Sequence, residues 1–298
     1  NMIEKLGWID GAGDFLRFIR SLRYELETGW FLLDRSIYPD LETSTYSFFL
    51  DKLADRCRQL MLQPSSPRMT CEVINRVLFH EYGFRGARQN FENPQNSFLH
   101  QVLDRREGLP ITLCAVYILI ARRIGFELDP IGTPGRFMVG CFAEKHPFYI
   151  DCWAGGRFLE LEQMEDKLGV LPDEESGANL LPVTVADTLS RACRNLCRHY
   201  AQAEDEANSR LFLSFVQEFE KVHQEAPNVC VVDTVGAGDT FNAGFMAKIV
   251  EQNLMSKRAL AHISLTELLA SLTYAVKVAA INVARQGANP PWISDLKT

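Results

Sequence analysis

The segment from Pro110 to Ile124 constrains this chain more than any other. It opens on a proline, ends before Gly125 and is apolar on nearly every side. Proline suits the first helical position, where the missing N–H has no intrahelical role, and glycine suits the position past the end. A helix without a polar face has to be covered all round. The rest of the chain must therefore build a shell around it, and 298 residues are enough to do so. The apolar run is interrupted at Thr112 and falls short of the roughly 20 residues that span a bilayer.

The segments before it read as helices. Phe15, Phe18, Ile19 and Leu22 fall on one helical face, and further helical segments run to about Leu62. Pro64 and Pro67 then break the pattern. A helix follows to about Tyr82, with Gly83 as its C-terminal cap, and Gly86 to Pro94 reads as loop. After Gly125 the period shortens. Leu128–Ile131, Phe137–Phe142, Phe148–Cys152 and Arg157–Leu159 are short β-like runs between Gly, Pro and charges. Helix returns from about Pro182, and Phe212, Phe215, Val216 and Phe219 form one stripe.

A second change falls near Ala226-Pro227, which sets a boundary between 1–223 and 224–298. Val229–Val232 reads as a buried strand. Val235-Gly236-Ala237-Gly238-Asp239 follows, then a helix from about Thr240. Ser264 with Glu267 forms a capping box, and the helix it starts carries Leu265, Leu268, Leu269, Leu272, Ala275, Val276, Ala279, Ala280 and Val283 on one face. That face needs a surface to bury against: the first domain, a protein partner or a second chain.

Charge and cysteines narrow the setting. The net charge is −7, all of it in the first 223 residues, which argues against non-specific nucleic-acid binding. Glu4, Lys5, Asp10 and Asp14 interrupt any signal-peptide pattern, and Asn1 before Met2 reads as a tag remnant. Eight cysteines without a C-x-x-C pair read as reduced thiols. A cytoplasmic protein with no membrane or nucleic-acid partner is the expectation. Cys193, Cys197 and His199 offer a weak metal reading, since His199 points away from the face the two cysteines share and no fourth ligand follows.

Several motifs occur in order with consistent gaps: Asn75 to Phe79, Gly83-Phe84-Arg85-Gly86, Asn93 to Leu103, Arg105 to Leu113, and Pro134-Gly135-Arg136-Phe137. Together they resemble the SirB-type family of transglutaminase-like proteins over about residues 30–220. The resemblance implies an α+β, helix-rich, papain-like domain with a small antiparallel sheet. It also implies a Cys-His-Asp triad, the Cys opening the buried helix and the His and Asp on following strands. Acyl transfer suits that layout, because a helix N-terminus favours a thiolate and a neighbouring His accepts its proton. This chain departs from the triad at two positions. Pro110 stands at the nucleophile position and Arg136 at the histidine position, while Asp151 is in place. Arginine carries no acceptor and cannot serve as a general base.

Two readings of this domain follow. In one it is a non-catalytic binding or regulatory protein, a pseudoenzyme in which Arg136 pairs with Asp151. In the other, Cys114 one turn deeper on the helix and His146 form a displaced dyad for an acyl transferase or peptidase. Asn96, Ser97 and His100 also match the family and suit a polar network around the helix start. No cofactor is expected of this domain.

Val232 to Phe245, continuing through Arg285-Gln286-Gly287-Ala288-Asn289-Pro290-Pro291, resembles the C-terminal signature of ribokinase/PfkB sugar kinases, nearest to fructokinases. Backbone N–H groups of Gly236, Ala237 and Gly238 can face an anion where a strand turns into a helix. The resemblance implies an anion hole there, Asp239 as the base that takes a sugar hydroxyl proton, Asn242 nearby, and ATP with Mg as cofactor. A strand–helix–helix fragment of an α/β kinase fold is expected, without the sugar-binding sheet and lid.

Overall fold

The structure is a computed structural model. It describes residues 11–62, 64–133, 136–144, 146–163, 180–224, 236–256, 260, 263–285, 287 and 289–292. The chain divides into two compact units, Asn1–Glu220 and Lys221–Thr298.

The first unit opens with α1 (Gly11–Ser21), α2 (Leu26–Arg35) and α3 (Thr43–Leu60). Phe15, Phe18 and Ile19 are buried as the periodicity requires. Leu22 is not on that face: α1 stops at Ser21, and Leu22 lies beyond it with a positive φ and is exposed. Ser66 caps α4 (Pro67–Asn75) through the Met69 N–H, and Pro67 takes the first helical position. The helix widens into a π-turn over Arg76–Glu81 before Gly83 ends it.

The expected loop after Gly86 begins one step later than the pattern suggests. Arg85–Gly86 is a short strand, β1, paired in parallel with β2 (Glu107–Gly108). Between them lie a 3₁₀ turn, Pro94–Ser97, and α5 (Leu99–Arg105). Two-residue strands carry no periodicity, so no pattern could mark them.

The helix α6 (Pro110–Arg123) is the hub. Every residue from Ile111 to Ala121 is buried. It touches helices α2 to α5 and strands β1 and β2. Gly125, at φ +76°, ends it in a conformation that costs a glycine little. Burying each large side chain of α6 contributes about 1.5–3 kcal/mol, so this helix is where the first unit concentrates its apolar stabilisation.

The β-like runs form one antiparallel meander, ordered β3 (Asp129–Ile131), β4 (Met138–Cys141), β5 (Phe148–Asp151) and β6 (Arg157–Glu160). Val139 faces Ile150, and Asp151 faces Arg157. β4 and β5 are buried throughout, because one face of the sheet lies on α6 and Met138, Tyr149, Leu159 and Leu180 pack on the other with Ile131. A capping box between Thr184 and Asp187 starts α7 (Val185–Gln202), and α8 (Glu206–Gln224) follows. The aromatic stripe of α8 is buried, with Phe215 edge-on to Phe15 at 4.9 Å.

In the second unit, α9 (Ala237–Glu251) and α10 (Leu265–Val283) pack against each other. The Val229–Val232 strand expectation lies outside the described residues. Gly236, at φ +74°, is the N-cap, so α9 starts at Ala237, three residues before the expected Thr240. The Ser264–Glu267 capping box is present. The expected apolar stripe of α10 splits. Ala275 and Ala280 are buried, with Ser271 and Val278 from outside the stripe, whereas Leu269, Leu272 and Val276 are exposed. Gly244 explains the choice: a Cβ there would lie 3.1 Å from Ala275 Cα, so the helices meet through their smallest residues. Among the described residues no helix is long and apolar enough to cross a membrane.

Candidate functional site

The start of α6 is held from outside the helix. Leu109 N–H and the Thr112 hydroxyl both donate to the Asn96 carbonyl, each at 3.1 Å. Leu109 is the N-cap residue, and no side chain caps the helix. Pro110 stands at the first helical position, half-buried. It supplies neither a nucleophile nor an N–H.

Arg136 lies just before β4 in a turn that closes when the Thr133 hydroxyl donates to the Arg136 carbonyl at 3.0 Å. Its Nη1 donates to Asp151 Oδ2 at 2.9 Å. The other carboxylate oxygen accepts the Ala154 N–H at 3.1 Å, capping the 3₁₀ turn after β5. Asp151 is 3% exposed and Arg136 49%. The pair thus joins the ends of two strands, with the guanidinium half in solvent and the carboxylate enclosed. A charge-assisted bond ties the two strand ends together.

Cys114 is fully buried, and its thiol donates to the Phe137 carbonyl at 3.5 Å. Neighbouring Cys152 is pushed well above the ordinary thiol value, first by burial and next by its contact with Cys114. His146 is exposed in the β4–β5 turn, so the structure does not enclose it with Cys114.

The network expected of Asn96, Ser97 and His100 does not form among their side chains: Asn96 Oδ1 and Ser97 Oγ have no hydrogen-bond partner among the described residues, and His100 pairs with a residue the sequence did not single out. Asp34, fully buried at the end of α2, accepts the Leu99 and His100 N–H groups at 3.0 and 2.7 Å. It therefore caps α5 from a distant helix. His100 Nδ1 lies 2.7 Å from Asp34 Oδ2, with the Tyr38 ring edge-on at 4.5 Å. Burial raises the Asp34 carboxyl above its usual range, against the pull of those hydrogen bonds. The Ser97 carbonyl accepts the Trp30 indole N–H at 2.9 Å. Nothing within 65 residues of His100 announces its partner.

Cys193 is buried and Cys197 lies 3.6 Å from the Ser209 hydroxyl. His199 is buried with the Phe91 ring at 5.9 Å, and Nδ1 has no hydrogen-bond partner among the described residues. Burial first, and the Arg198 charge second, lower its pKa to about 4. Among the described residues no group of three or more His, Cys, Asp or Glu side chains is placed to hold a metal ion.

A cleft of about 320 Å³ opens at the start of α6. Pro110, Ile111 and Phe137 line it together with Arg136, Arg191 and Arg198. The last two were not singled out in sequence, although their spacing of seven puts them on one face of α7.

In the second unit Gly236, Ala237, Gly238 and Asp239 form the cap and first turn of α9. Asp239 and Asn242 are exposed. A Cβ on Gly238 would meet nothing within 4 Å, so an anion could reach the backbone N–H groups of this turn. The residues present fit a phosphate group to that extent.

Comparison with known proteins agrees with both resemblances. The pfkB family carbohydrate kinase model matches residues 211–295. A UPF0162 protein of Xylella fastidiosa (strain 9a5c) is 32% identical over 176 residues, 57% of this chain and 63% of its own length. A UPF0162 protein of Vibrio cholerae is 26% identical over 132 residues, 44% of this chain and 49% of the relative. F-box only protein 21 of Mus musculus is 32% identical over 106 residues, 33% of this chain and 17% of the relative. The chain thus spans less than two thirds of the length of these relatives. No solved structure matches significantly. The model described as transglutaminase-like superfamily matches residues 44–194, half of the chain, and contains α6, Arg136 and Asp151. This chain belongs to the transglutaminase-like superfamily.

Proposed function

We propose that the transglutaminase-like domain is a binding or regulatory module without acyl-transfer chemistry. The bond between Arg136 and Asp151 carries this reading. A general base needs a lone pair, and the group beside Asp151 has none. Pro110 and buried Cys114 support it, because a thiol with no base beside it and no access to solvent cannot reach a substrate. The test is turnover of an activated ester and of a glutamine donor with an amine acceptor. No turnover above that of Cys114→Ala is expected. Turnover that disappears in Cys114→Ala would establish the acyl transferase instead.

A second reading, that the chain phosphorylates a fructose-like sugar with ATP and Mg through Asp239, is favoured by one observation. The matched segment retains a glycine-capped first turn with an acidic residue in it. An ATP- and sugar-dependent phosphorylation abolished by Asp239→Asn would support this reading. Phosphorylation absent altogether would remove it.

A further inference from the structure

We propose that the cleft at the start of α6 binds a small phosphomonoester, its phosphate held by Arg191 and Arg198 and its apolar part lying on Ile111 and Phe137. This rests on the reading that the cleft no longer performs acyl transfer.

The first ground is charge. The chain carries a net charge of −7, yet three guanidiniums converge on one cleft of about 320 Å³. Among the described residues only Arg136 has a carboxylate partner there, Asp151. Arg191 donates to the Thr133 and Arg136 carbonyls at 2.8 and 3.1 Å, which position it without neutralising it. Arg198 contacts the ring of its neighbour His199 at 3.4 Å. Of the other charges nearby, Arg194 pairs with Glu220, and Glu92 accepts from the neutral Gln202 amide and keeps its charge. Among the residues that line the cleft two guanidiniums are left without a carboxylate, which a phosphomonoester balances with its −1.5 to −2 at neutral pH. A carboxylate would balance only half of that.

The second ground is the setting of Arg191, which is partly shielded where Arg198 is exposed at the rim. Arg191 packs on the Phe137 ring at 5.5 Å and is half-buried. Burial, and then the nearby Arg194 charge, pull its pKa below the ordinary guanidinium value, so an anion beside it relieves an unfavourable state. The first turn of α6 adds N–H groups that no side chain caps, since Leu109 offers no acceptor. The volume lies at the small end of ligand pockets, room for a phosphate and a few more atoms.

The test is calorimetric titration of the full chain with phenyl phosphate, with benzoate and with inorganic phosphate. Saturable one-to-one binding of phenyl phosphate is expected, weaker binding of inorganic phosphate, and benzoate weaker by about tenfold or more. Arg191→Gln and Arg198→Gln should each weaken phenyl phosphate by about tenfold or more, and Arg210→Gln, an exposed arginine paired with Glu206, should change nothing. Arg198 holds only a neighbouring ring, so its variant should fold even if Arg191→Gln does not. Absence of saturable binding would overturn the proposal. So would binding unchanged in both variants, which would place the anion elsewhere, as at α9. Benzoate bound as tightly as phenyl phosphate would overturn the ligand class, and an equal loss in Arg210→Gln would reduce the effect to general charge. The two readings fail separately: Cys114-dependent turnover together with Arg198-dependent binding would sink the first and leave the second.

Discussion

At the scale of single residues, Asp151 and His199 give the most direct checks. Asp151 is enclosed and satisfies both Arg136 and the Ala154 N–H. Asp151→Asn keeps its shape and removes its charge. A hydrogen bond to a charged group is worth about 1.5–3 kcal/mol, and half of the guanidinium is already solvated, so the loss should be about 1–2 kcal/mol. The shift in urea midpoint measures it. His199 gives a pH dependence. Its folded pKa, about 4, lies below the unfolded value, so the unfolded chain binds the extra proton first. Its contribution to stability is complete above about pH 6.5 and is lost as the pH falls towards 4. Melting temperatures measured from pH 7.5 to 4.5 should fall on the acid side, and His199→Gln should flatten that slope.

At the scale of elements, α6 dominates. Leu113 and Ile118 are within 2% of full burial, so Leu113→Ala or Ile118→Ala should each cost about 2–5 kcal/mol through lost contacts and a cavity. Gly244→Val tests the other pair of helices. A Cβ there already lies 3.1 Å from both Ala275 and Val278, so the added methyls must push α9 away from α10. A loss of about 1–3 kcal/mol is expected, read from denaturant unfolding of the C-terminal unit. These elements also show what the sequence could announce. The apolar run of α6, bounded by Pro110 and Gly125, was legible because burial on all sides leaves an all-apolar signature, and the four short β-runs because Gly, Pro and charges separate them. Arg136 was legible as a candidate because it follows a recognisable Pro-Gly. The parallel pair β1–β2 was hidden in two residues each. The Asp34–His100 contact was hidden by its separation of 66 residues in the chain. The exposed Leu269, Leu272 and Val276 show the limit of periodicity: it finds an apolar face, but backbone approach at Gly244 decides which face is buried.

At the scale of the whole molecule, two compact units predict two unfolding events. In a calorimetric scan, Ile118→Ala should lower one transition and Gly244→Val the other. A single transition shifted equally by both variants would show that the units unfold as one.

With Arg136 seated on Asp151, no single substitution at these positions installs acyl-transfer chemistry. Pro110→Cys alone would set a thiol opposite a guanidinium with no group to take its proton. Arg136→His alone would restore a base with nothing to activate, and would give up the charge that Asp151 now answers. Neither single change builds a thiol–base pair at the start of α6, so this chemistry has no one-step approach from the present sequence.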